Sequence, residues 1–235
     1  MLFFNCNREN EPQEEPQEEP QGIIQNAVSD VDGNSYDAIR IGKQVWMQTN
    51  LRTKHFRDGS EIPTGTSASA SNPYYYEPTT VQVPEYDVKT YGLFYNWSAV
   101  VDEKGLCPKG WHVPSDAEWT ELNEYVGGKS EYCIDGNPDF IAKALASTVG
   151  WNSSDEVGTP GNNPEENNAT AFSAVPAGSC YASMFGSAGI FAGFWTTTEF
   201  ESGFAHCYFV DHNSADLIRY RDSKDDGLSV RCLRD

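Results

Sequence analysis

The strings Phe194-Trp195-Thr196-Thr197-Thr198-Glu199 and Gly227-Leu228-Ser229-Val230-Arg231-Cys232-Leu233-Arg234-Asp235 bracket the last part of the chain. Between them runs FESGFAHCYFVDHNSADLIRYRDSKDD, residues 200–226, in which aromatic, small and Asp/Asn side chains follow one another with little periodicity. The brackets read as terminal strands of a rigid frame, and the residues between them as contact-capable side chains held on it. That combination suits a binding surface. No catalytic constellation stands there.

Working back from this segment, Phe172-Ser173-Ala174-Val175-Pro176-Ala177-Gly178 begins a run of short strands, and the Asn-, Gly- and Pro-rich stretch 151–169 before it reads as loop. Two helices have physical reasons. Ser115 and Glu118 form a capping box, Trp119, Leu122, Tyr125 and Val126 then fall on one face, and Gly127 ends the helix. A second, shorter helix is expected over roughly Pro138 to Ser147, with Phe140, Ile141, Ala144 and Leu145 inward. Tyr91 to Val101 is apolar and aromatic enough to require burial, whereas residues 64–90 read as a long surface loop.

Towards the start, Asp32-Gly33-Asn34 supplies the positive φ of a tight hairpin between strands. Tyr36 to Met47 alternates as one further strand with Ile39, Ile41, Val45 and Met47 inward. The acidic pattern around Asp32 lacks a ligand at the twelfth position, where Ile41 stands, so it is not read as a calcium loop. Strands, two central helices, a long loop and terminal strands predict an α+β domain over 23–235.

Residues 1–22 have a different character. Met1-Leu2-Phe3-Phe4-Asn5-Cys6 is too short for a signal peptide's apolar region, but it is similar to the end of a bacterial lipoprotein signal, with Cys6 as the lipidated residue. The EPQEEPQEEPQ repeat ending at Gln21 reads as a disordered acidic tether. At roughly 3.1 Å per residue it would hold a domain about 40–50 Å from an anchor. The plain alternative is an unanchored tail with an ordinary cysteine.

A formal charge of −19 argues against nucleic-acid binding, which needs a basic face. The expected membrane contact is through a lipid anchor alone, at the cell surface or outer membrane. The six cysteines show no zinc spacing, and no metal or other cofactor is expected. Export permits disulfides; Cys107–Cys232 is the first expectation and Cys180–Cys207 the second, with Cys133 left free. His55, His112, His206 and His212 are scattered, and His112 reads as structural near the helix start. GxSxG, HExxH and phosphate-loop motifs are absent from the sequence.

Several strings occur in a specific order: Asp32-Gly33-Asn34-Ser35-Tyr36, Ile41-Gly42-Lys43-Gln44-Val45-Trp46-Met47, Tyr91-Gly92-Leu93-Phe94-Tyr95-Asn96-Trp97 and Gly105-Leu106-Cys107-Pro108-Lys109-Gly110-Trp111-His112-Val113-Pro114-Ser115. With the Phe172, Phe194 and Gly227 strings they resemble the Fibrobacter succinogenes major paralogous domain, frequent in exported Bacteroidetes lipoproteins. The resemblance runs from about residue 28 onward. It implies a C-type-lectin-like fold whose N- and C-terminal strands pair and whose two helices flank a long loop region.

Some members of that family look like the variable proteins of diversity-generating retroelements, which mutate adenines in a C-terminal cassette. An Asn codon so mutated cannot yield Glu, Lys, Gln, Met or Trp, and in 200–228 only Glu201 and Lys224 are of those types. The positions that the resemblance implies as varied and ligand-binding are Phe200, Ser202, Phe204, His206, Cys207, Phe209, Asp211, His212, Asn213, Asp216, Ile218, Tyr220, Asp222, Asp225, Asp226 and Leu228, and all are reachable in this way. The implied ligand is a protein or glycan, and the implied protein is not an enzyme. The calcium-lectin triplets are missing. An alternative kinship with formylglycine-generating enzymes would need Cys180 and Cys207 as its cysteine pair, without matching context. A structural envelope lipoprotein is the third reading.

Overall fold

The computed structural model describes residues 22–78 and 86–235. Cys6 and the repeat through Gln21 lie outside the described residues. Strands β1 (Ile23–Ser29), β2 (Ser35–Ile41) and β3 (Gln44–Met47) form an antiparallel meander. The β1–β2 turn is closed by Asp30, whose carboxylate accepts from the Asp32 and Asn34 amides and the Tyr36 hydroxyl. Asp32 accepts in turn from Thr53 Oγ1 and the Lys54 amide, so both carboxylates are engaged within the fold.

The single strand expected over Tyr36–Met47 is two strands. The chain reverses at Gly42, whose φ is +60° and where a Cβ would lie 2.7 Å from the Tyr125 ring. Only glycine fits there, and the apparent alternation continues across the turn because the sheet is covered on both faces, Ile39 and Ile41 entering one core cluster and Val45 and Met47 another. Similarly, the 64–90 stretch is not all surface loop. It contains β4 (Tyr75–Tyr76), buried and paired with β5 (Phe94–Tyr95).

Around β5 lie the short elements that lead to the main helix: α1 (Val88–Tyr91) precedes β5, α2 (Trp97–Val100) follows it, and then β6 (Trp111–His112). Helix α3 (Asp116–Gly127) carries the expected capping box and buries Trp119, Leu122 and Val126. His112 bridges Glu118 of that box at 2.8 Å and Asp235 at 2.7 Å, a structural role. The second helix is much shorter than Pro138–Ser147: α4 spans Ala142–Leu145, one turn. The Ala142 amide donates to Ala215 O and Ala146 bridges Ala174, so tertiary partners take the backbone groups that a longer helix would use.

The remaining strands are β7 (Ser179–Tyr181), β8 (Met184–Gly186), β9 (Phe191–Glu201), β10 (Phe204–Asp211), β11 (Leu217–Ser223), β12 (Asp226–Gly227) and β13 (Leu233–Arg234). They complete sheets of order β1-β2-β3-β13-β6, β11-β10-β9, β12-β7-β8 and β4-β5. The architecture is mixed, mostly strands in antiparallel sheets with few helices. The first and last strands share a sheet, but β13 pairs with β3 and β6 rather than with β1.

The string Gly227–Cys232 runs through the centre. Leu228 exchanges amide hydrogen bonds with Tyr95, Ser229 bonds with Gly193 and Trp195, and the Val230 and Cys232 carbonyls accept from Leu51 and Met47. These bonds tie the string to the β5, β9 and β3 strands and to the loop at Leu51. Cys107 and Cys232 are bonded, with Cα atoms 6.0 Å apart.

Candidate functional site

Sheet β9–β10–β11 divides the core, because neighbouring side chains on a strand point to opposite faces. Trp195 and its partner Cys207 enter one buried cluster, with Phe191 and Phe209 packed on it. Phe194 and its partner Tyr208 enter the other, with Val210 and Leu217. There Tyr208 stacks on Trp119 of α3 at 5.1 Å. The strand centres are therefore anchored on both sides, and the β9–β10 end extends past the start of α3.

At that end the packing gives way to exposed aromatic side chains. Phe200 and Phe204 are each 40% exposed; Tyr220, 55% exposed, stands further along β11 opposite Cys207, on the sheet's other face. Phe200 meets the His206 ring edge-on at 5.2 Å, and Tyr220 lies 5.8 Å from Phe209. Phe200, His206, Arg219, Tyr220 and Arg221 line an open depression of about 240 Å³. A second depression, of about 530 Å³, lies on the other side of Phe200, beside Glu199, Ser202 and Lys224.

The charges of this end are unevenly occupied. Arg219 makes a fork to Asp116, 2.7 Å from Nε to Oδ1 and 2.9 Å from Nη2 to Oδ2, and also donates to His206 Nε2 at 3.1 Å. Burial raises the Asp116 carboxyl, but the Arg219 hydrogen bond and charge outweigh it and hold it below its ordinary value. Lys224 is tied to Glu199 and lies over the Trp97 ring. Arg221 sits with its guanidinium carbon 4.6 Å from the centre of the Phe200 ring.

On the opposite face, Asp222, Asp225 and Asp226 gather near Cys207. Burial, then the hydrogen bond that protonated Asp226 donates to Asp222 and the charges of Asp222 and Asp225, push the Asp226 carboxyl up to about 7. Among the described residues no group of three or more His, Cys, Asp or Glu is placed to hold a metal ion.

The sixteen candidate positions do not form one patch. Phe200, Ser202, Phe204 and His206 share the β9–β10 end; Phe209, Ile218, Tyr220, Asp222, Asp225 and Asp226 lie on or near the sheet's other face. Asp211, His212, Asn213 and Asp216 occupy the β10–β11 turn, at the other end of β10 and roughly 20 Å away at about 3.3 Å per residue. That turn is packed down: Gly161 donates to His212 O, and Ser154 to Asn213 Oδ1. Cys207 and Leu228 are fully buried, which removes both from any contact surface. The period of the strand turns Cys207 inward, and Leu228 belongs to the central string. Arg219 and Arg221 are not among the sixteen, although their spacing across Tyr220 places them together on one face of β11.

The sequence model of the Fibrobacter succinogenes major domain matches residues 39–234. The chain belongs to this family. No curated protein matches it, and no solved structure does. In this member of the Fibrobacter succinogenes major domain family the Cys107–Cys232 bond is present and Cys133 is free. The expected Cys180–Cys207 bond is not: both thiols are free and buried, in separate clusters. Burial pushes the Cys180 thiol up to about 12 and raises that of Cys207 further.

Proposed function

We propose that this is a lipid-anchored, surface-displayed binding protein of the cell surface or outer membrane. On this reading a C-type-lectin-like scaffold presents the β9–β11 end as a ligand-binding face, varied by a diversity-generating retroelement, and the protein has no catalytic role. The observation that carries the reading is the exposure of Phe200 and Phe204 at this end, with Tyr220 exposed beside it on the other face of β11, on a sheet whose strand centres already enter two core clusters. Large rings left outside a complete core act as contact surface. Aromatic side chains offer much area at small entropic cost, with His206 and the arginines supplying polar contacts.

The enzymatic alternative would require Cys180 and Cys207 as reactive thiols. Burial keeps both protonated at neutral pH, which disfavours thiolate chemistry. The test is a screen of the whole chain on peptide and glycan arrays, repeated with Phe200, Phe204 and Tyr220 exchanged together for Ser. Loss of the array signals in the variant supports the face; unchanged signals refute it. A reverse-transcriptase gene beside a near-copy of the 3′ coding end would support diversification, and a neighbourhood without either would refute it.

A further inference from the structure

We infer that the ligand of this face is an acidic, extended peptide segment of a partner protein, added as a strand along the free edge of β11 with a carboxylate on Arg221. The inference rests on the reading of the β9–β11 end as a binding face and names what that face takes.

Two independent observations meet at β11. The first is backbone. In the order β11-β10-β9 this strand is an edge, and among the described residues no strand, isolated bridge or non-ladder backbone hydrogen bond engages 217–223 on its outer side. Every second residue there leaves an N–H and a C=O directed outward, which is a template for a further strand.

The second is charge. The chain as a whole carries −19, yet this edge presents Arg219 and Arg221, both exposed. Asp116 already neutralises Arg219. Arg221 has the Phe200 ring as its described contact, and none of the ion pairs among the described residues includes it. A cation seated on an aromatic face keeps its N–H donors directed to solvent, where a carboxylate can accept two of them in parallel. The depression of about 240 Å³ beside it accepts one side chain, not a large rigid body. A further depression of about 420 Å³, lined by Asn123, Asp139, Phe140, Asp216 and Leu217, continues along the same edge and gives the chain room to run on, its two carboxylates confining the acidic side chains to the Arg221 end. A strand ligand explains a cationic pocket and an open edge in register; a glycan would use only the pocket.

The probe is a fluorescent heptapeptide of alternating Thr and Glu, measured by polarisation against the full chain at low and moderate salt. Binding should weaken at least about tenfold when Glu is replaced by Gln in the peptide, and equally in Arg221→Gln, with the melting temperature of the variant unchanged. Methylation of alternate peptide amides should abolish binding in the register that faces β11. Equal binding of the Gln peptide, indifference to Arg221→Gln, or full binding of both methylated registers overturns the inference. Binding of oligogalacturonate but not of the peptide, lost in Arg221→Gln, would make the partner an acidic glycan and also overturn it. If no peptide binds while array signals still depend on Phe200, Phe204 and Tyr220, this inference fails and the binding face stands.

Discussion

Asn50 Oδ1 accepts two hydrogen bonds from the guanidinium of Arg231, at 2.9 Å from Nη2 and 3.2 Å from Nε. Arg231 is fully buried between the Phe172 and Phe194 rings, and its other donors reach the carbonyls of Met47, Phe172 and Ser173. Burial lowers its pKa to about 9, which leaves it charged at neutral pH. Among the described ion pairs no carboxylate compensates it, so oxygen dipoles from separate segments hold the cation and fix those segments relative to one another.

Asn50→Ala is therefore expected to cost about 3 kcal/mol, because it strips acceptors from a buried charge and also removes the donor to Tyr91 O and Ser229 Oγ. Urea unfolding measures this. A loss under about 1 kcal/mol would mean that water or the remaining carbonyls replace the amide.

The Cys107–Cys232 bond joins residues 125 apart in sequence. In the chain-entropy view, replacing both cysteines by Ser should cost about 4 kcal/mol. Non-reducing peptide mapping of the natural protein should return the two as one linked fragment. Recovery of both as free thiols would contradict the fold as described.

Asp226 gives the pH dependence. Its folded-state pKa, about 7, lies above the ordinary carboxylate value, so the native state binds this proton more tightly than the unfolded chain. Stability from this group is complete below about pH 4 and declines as pH rises towards 7. Asp226→Asn should raise stability by about 2 kcal/mol at pH 8 and leave it nearly unchanged at pH 4. Denaturation midpoints of both proteins at the two pH values decide it; a gain of equal size at both would assign the effect to something other than proton linkage.

Signals in the sequence carry over to the fold where the chemistry is local. The Ser115–Glu118 capping box specifies α3, and Asp30–Asn34 the first turn, because both are made by side chains within a few residues. The turn at Gly42 is hidden in the sequence, since its requirement comes from Tyr125, far along the chain. The helix expected at Pro138–Ser147 shrinks to one turn because Ala215 and Ala174 take its backbone bonds, and neither is visible from that segment. At the candidate site, positions taken from the family resemblance ignore strand period. Alternation alone turns Cys207 inward and sets Arg219 beside Arg221. The free edge of β11 emerges only from the sheet order.

A binding face at the β9–β11 end requires that its rings be surplus to folding. The melting temperature of the chain with Phe200, Phe204 and Tyr220 all exchanged for Ser decides this. Each ring is at least two-fifths exposed, so the midpoint should stay within about 5 °C of the natural protein. A drop of more than about 15 °C, the size expected when core aromatics are removed, would place these residues in the core and contradict the binding face.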